Sequence, residues 1–196
     1  MKRLFLASSI DRVAGDIAKR LDKPAGGQKL LFVTTASEVK EDGMQWLADD
    51  REALIKAGFE VEDYTFTGKT AEQVRAKLGE VDMLHMEGGT TTYLLEKINQ
   101  SGCYQAILDY VDSGKVYIGS SAGSIAAAVE IPPYYLDDPD KAKYFNGHTG
   151  MGLVDFVALP HWGNEHFRER YLGQRMKQAY LPGYKLILLN DWQYVG

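Results

Sequence analysis

The stretch Val116-Tyr117-Ile118-Gly119-Ser120-Ser121-Ala122-Gly123-Ser124-Ile125-Ala126-Ala127-Ala128-Val129 decides how this chain folds. An apolar run, Val116 to Ile118, meets a Gly-x-Ser-x-Gly pentapeptide, and a small-residue, alanine-rich stretch from Ser124 to Val129 follows at once. A strand ending in such a pentapeptide and turning directly into a helix is a nucleophile elbow, which holds its central serine on a strained bend with the hydroxyl clear of the sheet. Side chains at the two glycine positions would collide with neighbouring backbone, and the following helix aims its free N–H groups and positive dipole end at the serine. Ser121 is the candidate nucleophile, and Ser120 and Ser124 are its neighbours. A structural turn is the competing reading of a pentapeptide this common.

Outward from the elbow, strands and helices alternate. The start, Met1 to Ala7, reads as a first strand, and Ser8 or Ser9 caps a helix whose Ile10, Val13, Ile17 and Leu21 recur at helical spacing. Leu30 to Val33 is a continuous apolar run of the kind buried on both faces, followed by a helix carrying Met44, Leu47, Leu54 and Ile55. A strand from Val61 to Phe66 precedes a short helix opened by the capping-box pair Thr70 and Gln73. Val81 to Met86 is another buried strand, and an interrupted helical region runs from Thr91 to Val111. Beyond the elbow helix come a strand from Phe156 to Leu159, a charged amphipathic helix from Glu165 to Tyr180, and a last apolar strand from Lys185 to Leu189. Such alternation implies crossover helices covering a mostly parallel sheet, hence a single α/β domain over residues 1–196, a three-layer sandwich. Ligands bind such sheets outside the carboxyl ends of the strands, where Gly88-Gly89, Ser121 and His161 are all expected.

Composition narrows the partners. The chain of 196 residues carries a formal charge of −5 with its basic residues dispersed, which argues against nucleic acid. A single cysteine, Cys103, excludes an internal disulfide framework, suits a reducing compartment and reads as a helix-face residue. The apolar run at the start stops at Ser8, short of an export signal, and no stretch approaches the ~20 apolar residues of a membrane span. A soluble cytoplasmic protein, monomer or homodimer, is expected. The sequence stops at Gly196, shortly after a strand, so a further C-terminal piece is expected as well.

A serine hydroxyl needs a base to take its proton as it attacks. His161, in Leu159-Pro160-His161-Trp162, stands at a strand end after a stiffening proline, whereas His85 faces a strand interior, His148 a glycine-bordered loop and His166 the first turn of a helix. His161 and His166 match no common zinc spacing, so no metal is expected. A carboxylate should fix the imidazole tautomer, and the acidic segment between serine and histidine supplies Asp137 first, with Asp138 and Glu130 behind it; an ordinary exposed turn is the competing reading. Ala122 N–H is an oxyanion donor by position, and the Gly88-Gly89 pair is the source of a second, since Glu87 to Thr92 lacks the lysine and spacing of a phosphate loop.

Together Glu87-Gly88-Gly89-Thr90-Thr91-Thr92-Tyr93-Leu94-Leu95, the elbow, Leu159-Pro160-His161-Trp162 and the late Leu189-Asn190-Asp191 resemble the motifs of the S51 serine peptidases, in order and over nearly the whole chain. That resemblance implies a fold like the class I glutamine amidotransferases (flavodoxin-like), and hydrolysis of a short peptide by Ser121 and His161 with oxyanion donors at Gly88 or Gly89 and Ala122. It implies no cofactor. The peptidase E branch of the family prefers dipeptides with N-terminal aspartate, whose carboxylate calls for an arginine: Arg175 first, with Arg170 and Arg168 available and Thr90 nearby. Thr90 stands where the family often has asparagine, and Ser120 where a bulky residue is common. An α/β-hydrolase esterase shares the same elbow, and a non-catalytic binding module shares the same scaffold.

Overall fold

The computed structural model describes residues 2–40, 43–132, 149–178 and 183–196. Eight strands are named among them: β1 (Arg3–Ala7), β2 (Lys29–Val33), β3 (Glu60–Tyr64), β4 (Met83–Met86), β5 (Val116–Ser120), β6 (Val157–Leu159), β7 (Leu186–Leu188) and β8 (Tyr194–Val195). The main sheet has six strands in the order β3-β2-β4-β5-β1-β8, all parallel except β8, which runs antiparallel to β1. β6 and β7 pair in parallel as a separate two-stranded sheet. The expected strand from Lys185 to Leu189 therefore does not join the main sheet.

Because side chains alternate across a strand, neighbouring residues feed different cores. Leu30, Phe32 and Met83 pack with α1 (Ile10–Lys19) and with Leu54 of α2 (Gln45–Lys56), whereas Leu31, Val33, Leu84 and Met86 pack with α3 (Ala71–Gly79), α4 (Thr91–Ser101), α5 (Tyr104–Asp112) and α6 (Ala122–Ala126). Helices thus cover both faces of the sheet. Continuous apolar runs such as Leu30 to Val33 are what a doubly covered strand requires.

Local signals explain several boundaries. Thr70 and Gln73 make both hydrogen bonds of a capping box at the start of α3. The interrupted helical region is two helices, parted where Gly102 takes φ 67° and Cys103, buried, stands before α5 rather than on a helix face. The charged segment after residue 164 is not one regular helix: a 3-10 turn at Glu165–Phe167 leads into a π-type stretch, Arg170–Arg175. Tyr171 and Arg175 are buried there, and the Tyr171 hydroxyl donates to the Pro160 carbonyl. No helix among the described residues is long and apolar enough to cross a membrane.

Candidate active site

Ser121 stands between β5 and α6 with φ 45° and ψ −103°, a conformation that L-residues avoid and that an elbow imposes. The sequence around it holds the bend. Ser121 N–H donates to the Ala7 carbonyl at 3.1 Å, the Tyr117 hydroxyl to the Gly123 carbonyl at 2.8 Å, and the Ser124 hydroxyl to the carbonyls of Ala7 and Gly119 at 2.7 and 2.9 Å. A β-carbon at Gly123 would overlap the Met86 carbonyl oxygen on the neighbouring strand, which is why the second glycine of the pentapeptide is needed.

His161 follows β6 and also has positive φ, 65°. Its N–H donates to the Ser8 hydroxyl at 2.7 Å, and Trp162 N–H to the Leu189 carbonyl at 2.9 Å, so the residue is tied to the loops after β1 and β7. The imidazole lies flat on Phe167, ring centroids 4.3 Å apart. Nε2 is 3.0 Å from Ser121 Oγ, and Nδ1 is 2.7 Å from Asp191 Oδ1. Asp191 accepts further from the Ser8 hydroxyl at 3.0 Å and from Asn164 Nδ2 at 2.6 Å. The hydrogen bond from His161, then that from Asn164, hold its carboxyl well below the usual carboxylate range against the opposing effect of burial, so it is ionised at neutral pH.

The carboxylate described at His161 Nδ1 is Asp191, which follows the histidine in the chain, whereas the acid was expected between serine and histidine. Asp137 and Asp138 lie outside the described residues; Glu130 is exposed and accepts from the Tyr184 hydroxyl at 3.4 Å. Triad geometry constrains space and not chain order, so an acid after the histidine serves as well. Its signal was available: Asp191 follows a strand end just as Ser121 and His161 do. Ser8, expected as a helix cap, makes no capping bond to α1 and links His161 to Asp191 instead.

Gly88 and Gly89 follow β4 beside the serine. A β-carbon on Gly89 would overlap the Ala36 carbonyl, and φ there is 133°, so only glycine fits. The Gly88 N–H is engaged by the Glu87 carboxylate, whereas those of Gly89 and Ala122 make no hydrogen bond among the described residues. A cavity of about 600 Å³ is lined by Gly88, Gly89 and Ser121, and also by Trp46, Asp50, Arg170 and Arg175. Thr91 and Thr92 line it rather than Thr90, whose N–H is bound to the Ala36 carbonyl at the start of α4. Arg175 is buried with its guanidinium over the Tyr171 ring, Arg170 is exposed over Phe167, and Arg168 makes a surface ion pair with Glu165. Among the described residues no cluster of three or more His, Cys, Asp or Glu is arranged to hold a metal.

A parallel sheet covered on both faces, with an elbow serine and an imidazole at the carboxyl ends of its strands, defines an α/β enzyme of the hydrolase type. The chain belongs to peptidase family S51, whose sequence profile matches residues 4–195. It is 33% identical over 171 residues to an uncharacterized peptidase of Pasteurella multocida, covering 86% of this chain and 81% of the relative. An uncharacterized peptidase of Listeria innocua is 30% identical over 196 residues, 100% of this chain and 92% of its own. Peptidase E of Streptomyces coelicolor is 30% identical over 166 residues, 83% of this chain and 64% of its own. A crystal structure of a Listeria monocytogenes protein, solved as a candidate peptidase E, superposes with a TM-score of 0.85 at 28% identity, covering 99% of this chain and 93% of that one. The protein is a peptidase.

Proposed function

We propose that the protein is a serine-type peptidase that cleaves short peptides with Ser121 as nucleophile, His161 as base and Asp191 as the orienting acid. The observation that carries this reading is the continuous hydrogen-bonded chain from Ser121 Oγ through both ring nitrogens of His161 to Asp191, at 3.0 and 2.7 Å. As Oγ bonds to the scissile carbonyl carbon, its proton passes to Nε2, and Asp191 stabilises the imidazolium so formed. The carbonyl oxygen takes up negative charge facing the N–H groups of Ala122 and Gly89. Collapse returns the proton to the leaving amine, and water then releases the acyl group by the same route in reverse.

The substrate class that fits is a dipeptide with N-terminal aspartate. Support comes from Arg175 and Arg170, which line the same cavity as Ser121 and suit a carboxylate, and from the likeness to peptidase E of Streptomyces coelicolor. Ser121→Ala tests the chemistry: turnover of an Asp-Xaa dipeptide panel should fall by at least about 10³-fold while the urea midpoint is unchanged. Retained turnover in that variant overturns the reading.

A further inference from the structure

The loop from β4 to α4 is fastened at both ends by backbone and in the middle by a side chain. Glu87 N–H donates to the Val33 carbonyl at 3.1 Å and Thr90 N–H to the Ala36 carbonyl at 2.7 Å. Between them, the Gly88 N–H donates to the carboxylate of Glu87. Glu87 is 1% exposed, and its other oxygen lies 2.8 Å from Nε2 of His85. His85 is buried, stacked on Phe32, and its Nδ1 has no partner. A buried N–H without an acceptor is rarer than an unfilled lone pair, so the imidazole proton sits on Nε2 and is donated to Glu87.

Asp50 reaches the same carboxylate from α2 and hydrogen-bonds to it. Two carboxyls in contact away from water keep one proton between them, and Glu87 already accepts from two N–H donors, so the proton resides on Asp50. Burial raises both carboxyls above their usual range. The other charged neighbour is Asp11, whose N–H donates to Asp50 Oδ1 at 3.1 Å.

Nothing in the proton transfers of hydrolysis uses this buried carboxylate, and burying one is costly. Its neighbour gives the reason. A β-carbon on Gly88 would lie 3.3 Å from Cβ and 3.8 Å from Oγ of Ser121, so the serine side chain stands on the open side of Gly88. We propose that Glu87 is a positioning residue for hydrolysis: by binding the Gly88 N–H it fixes the Glu87-Gly88 peptide, and with it the glycine turn beside Ser121, and leaves the Gly89 N–H to complete the oxyanion hole with Ala122. This rests on Ser121 being the nucleophile.

The test uses the best-cleaved member of an Xaa-Leu dipeptide panel and the matching α-amino aldehyde, whose adduct carries the tetrahedral oxygen. Glu87→Gln keeps an oxygen for the Gly88 N–H; Glu87→Leu keeps the volume and loses it. For the Leu variant kcat falls about 30-fold or more with KM within about threefold, the aldehyde Ki rises in parallel, and the Gln variant recovers kcat to within about fivefold. A Leu variant within about threefold of the parent in kcat, or a Gln variant as slow as the Leu one, overturns the proposal. Should the Leu variant not fold, Asp50→Ala decides, since it strips one donor from Glu87: a kcat lowered about fivefold at unchanged KM supports the role, and an unchanged kcat overturns it. Failure of the nucleophile reading is separate, because it would show as turnover in Ser121→Ala.

Discussion

At the scale of single residues, the imidazole of His161 is oriented by three contacts, Ser121, Asp191 and the ring of Phe167, and its backbone N–H is tied to Ser8. Asp191 is the one whose charge matters, because only an anion both fixes the Nδ1–H tautomer and stabilises the imidazolium. Asp191→Asn should lower kcat by about 10³- to 10⁴-fold with KM little changed, since an amide can present its N–H and force the wrong tautomer. Steady-state kinetics of the variant check this; a loss confined to KM would contradict it. Ser121 and His161 were legible because each ends a recognisable apolar run in a short, distinctive peptide. Asp191 stands in the quoted Leu189-Asn190-Asp191 motif, but the expectation that the acid lies between serine and histidine points away from it, and only the fold carries it to His161. Ser8 was hidden for the same reason: a serine before a helix reads as a cap, and its actual partners lie 153 and 183 residues away in sequence.

At the scale of elements, β4 and α2 meet over a proton. Burial raises the Asp50 and Glu87 carboxyls above the about 4 of an unfolded chain. Above about pH 4 the folded pair therefore holds a proton that the unfolded chain has released, so its contribution to stability falls as pH rises until that proton is lost. His85, lowered by burial to about 4, acts in the opposite sense and only below about pH 6.5, where the unfolded imidazole takes a proton that the buried ring refuses. Urea midpoints should thus decline from pH 7 to 9, and Asp50→Asn, which cannot lose the proton, should flatten that decline; an equally steep fall in the variant would count against the shared proton. The elements themselves were largely legible, because buried parallel strands are continuous apolar runs and helices are periodic. The segment after residue 164 misled by the same logic. Its charges recur at helical spacing, but the backbone is bent into a π-type stretch where Tyr171 packs inward and bonds the Pro160 carbonyl, a tertiary contact that local periodicity cannot register. β8 has only two residues, Tyr194 and Val195, too few to make a pattern.

At the scale of the whole molecule, the cavity's charge comes from which elements contribute to its lining. Its lining mixes both signs: Asp11, Arg12, Asp49 and Asp50 come from α1 and α2, and His166, Arg170 and Arg175 from the segment after β6, with Ser121 among them. A cavity of about 600 Å³ lies within the size range of small-ligand sites, which suits a peptide of a few residues better than a protein chain. If the segment after β6 takes the carboxylate of an N-terminal aspartate, Arg175 is the better anchor: it is buried and braced by the ring of Tyr171, so its fork is already oriented, whereas Arg170 is exposed and screened by solvent. Arg175→Met keeps most of the apolar packing on Tyr171 and removes the charge. A charged hydrogen bond of this kind is worth about 1.5–3 kcal/mol, so kcat/KM for Asp-Leu should fall about 10- to 100-fold while that for Ala-Leu changes less than about threefold. An equal loss on both dipeptides would mean that Arg175 serves the packing of the 170–175 turn against Tyr171 and Pro160, and that the aspartate carboxylate, if bound at all, is bound elsewhere on the cavity wall.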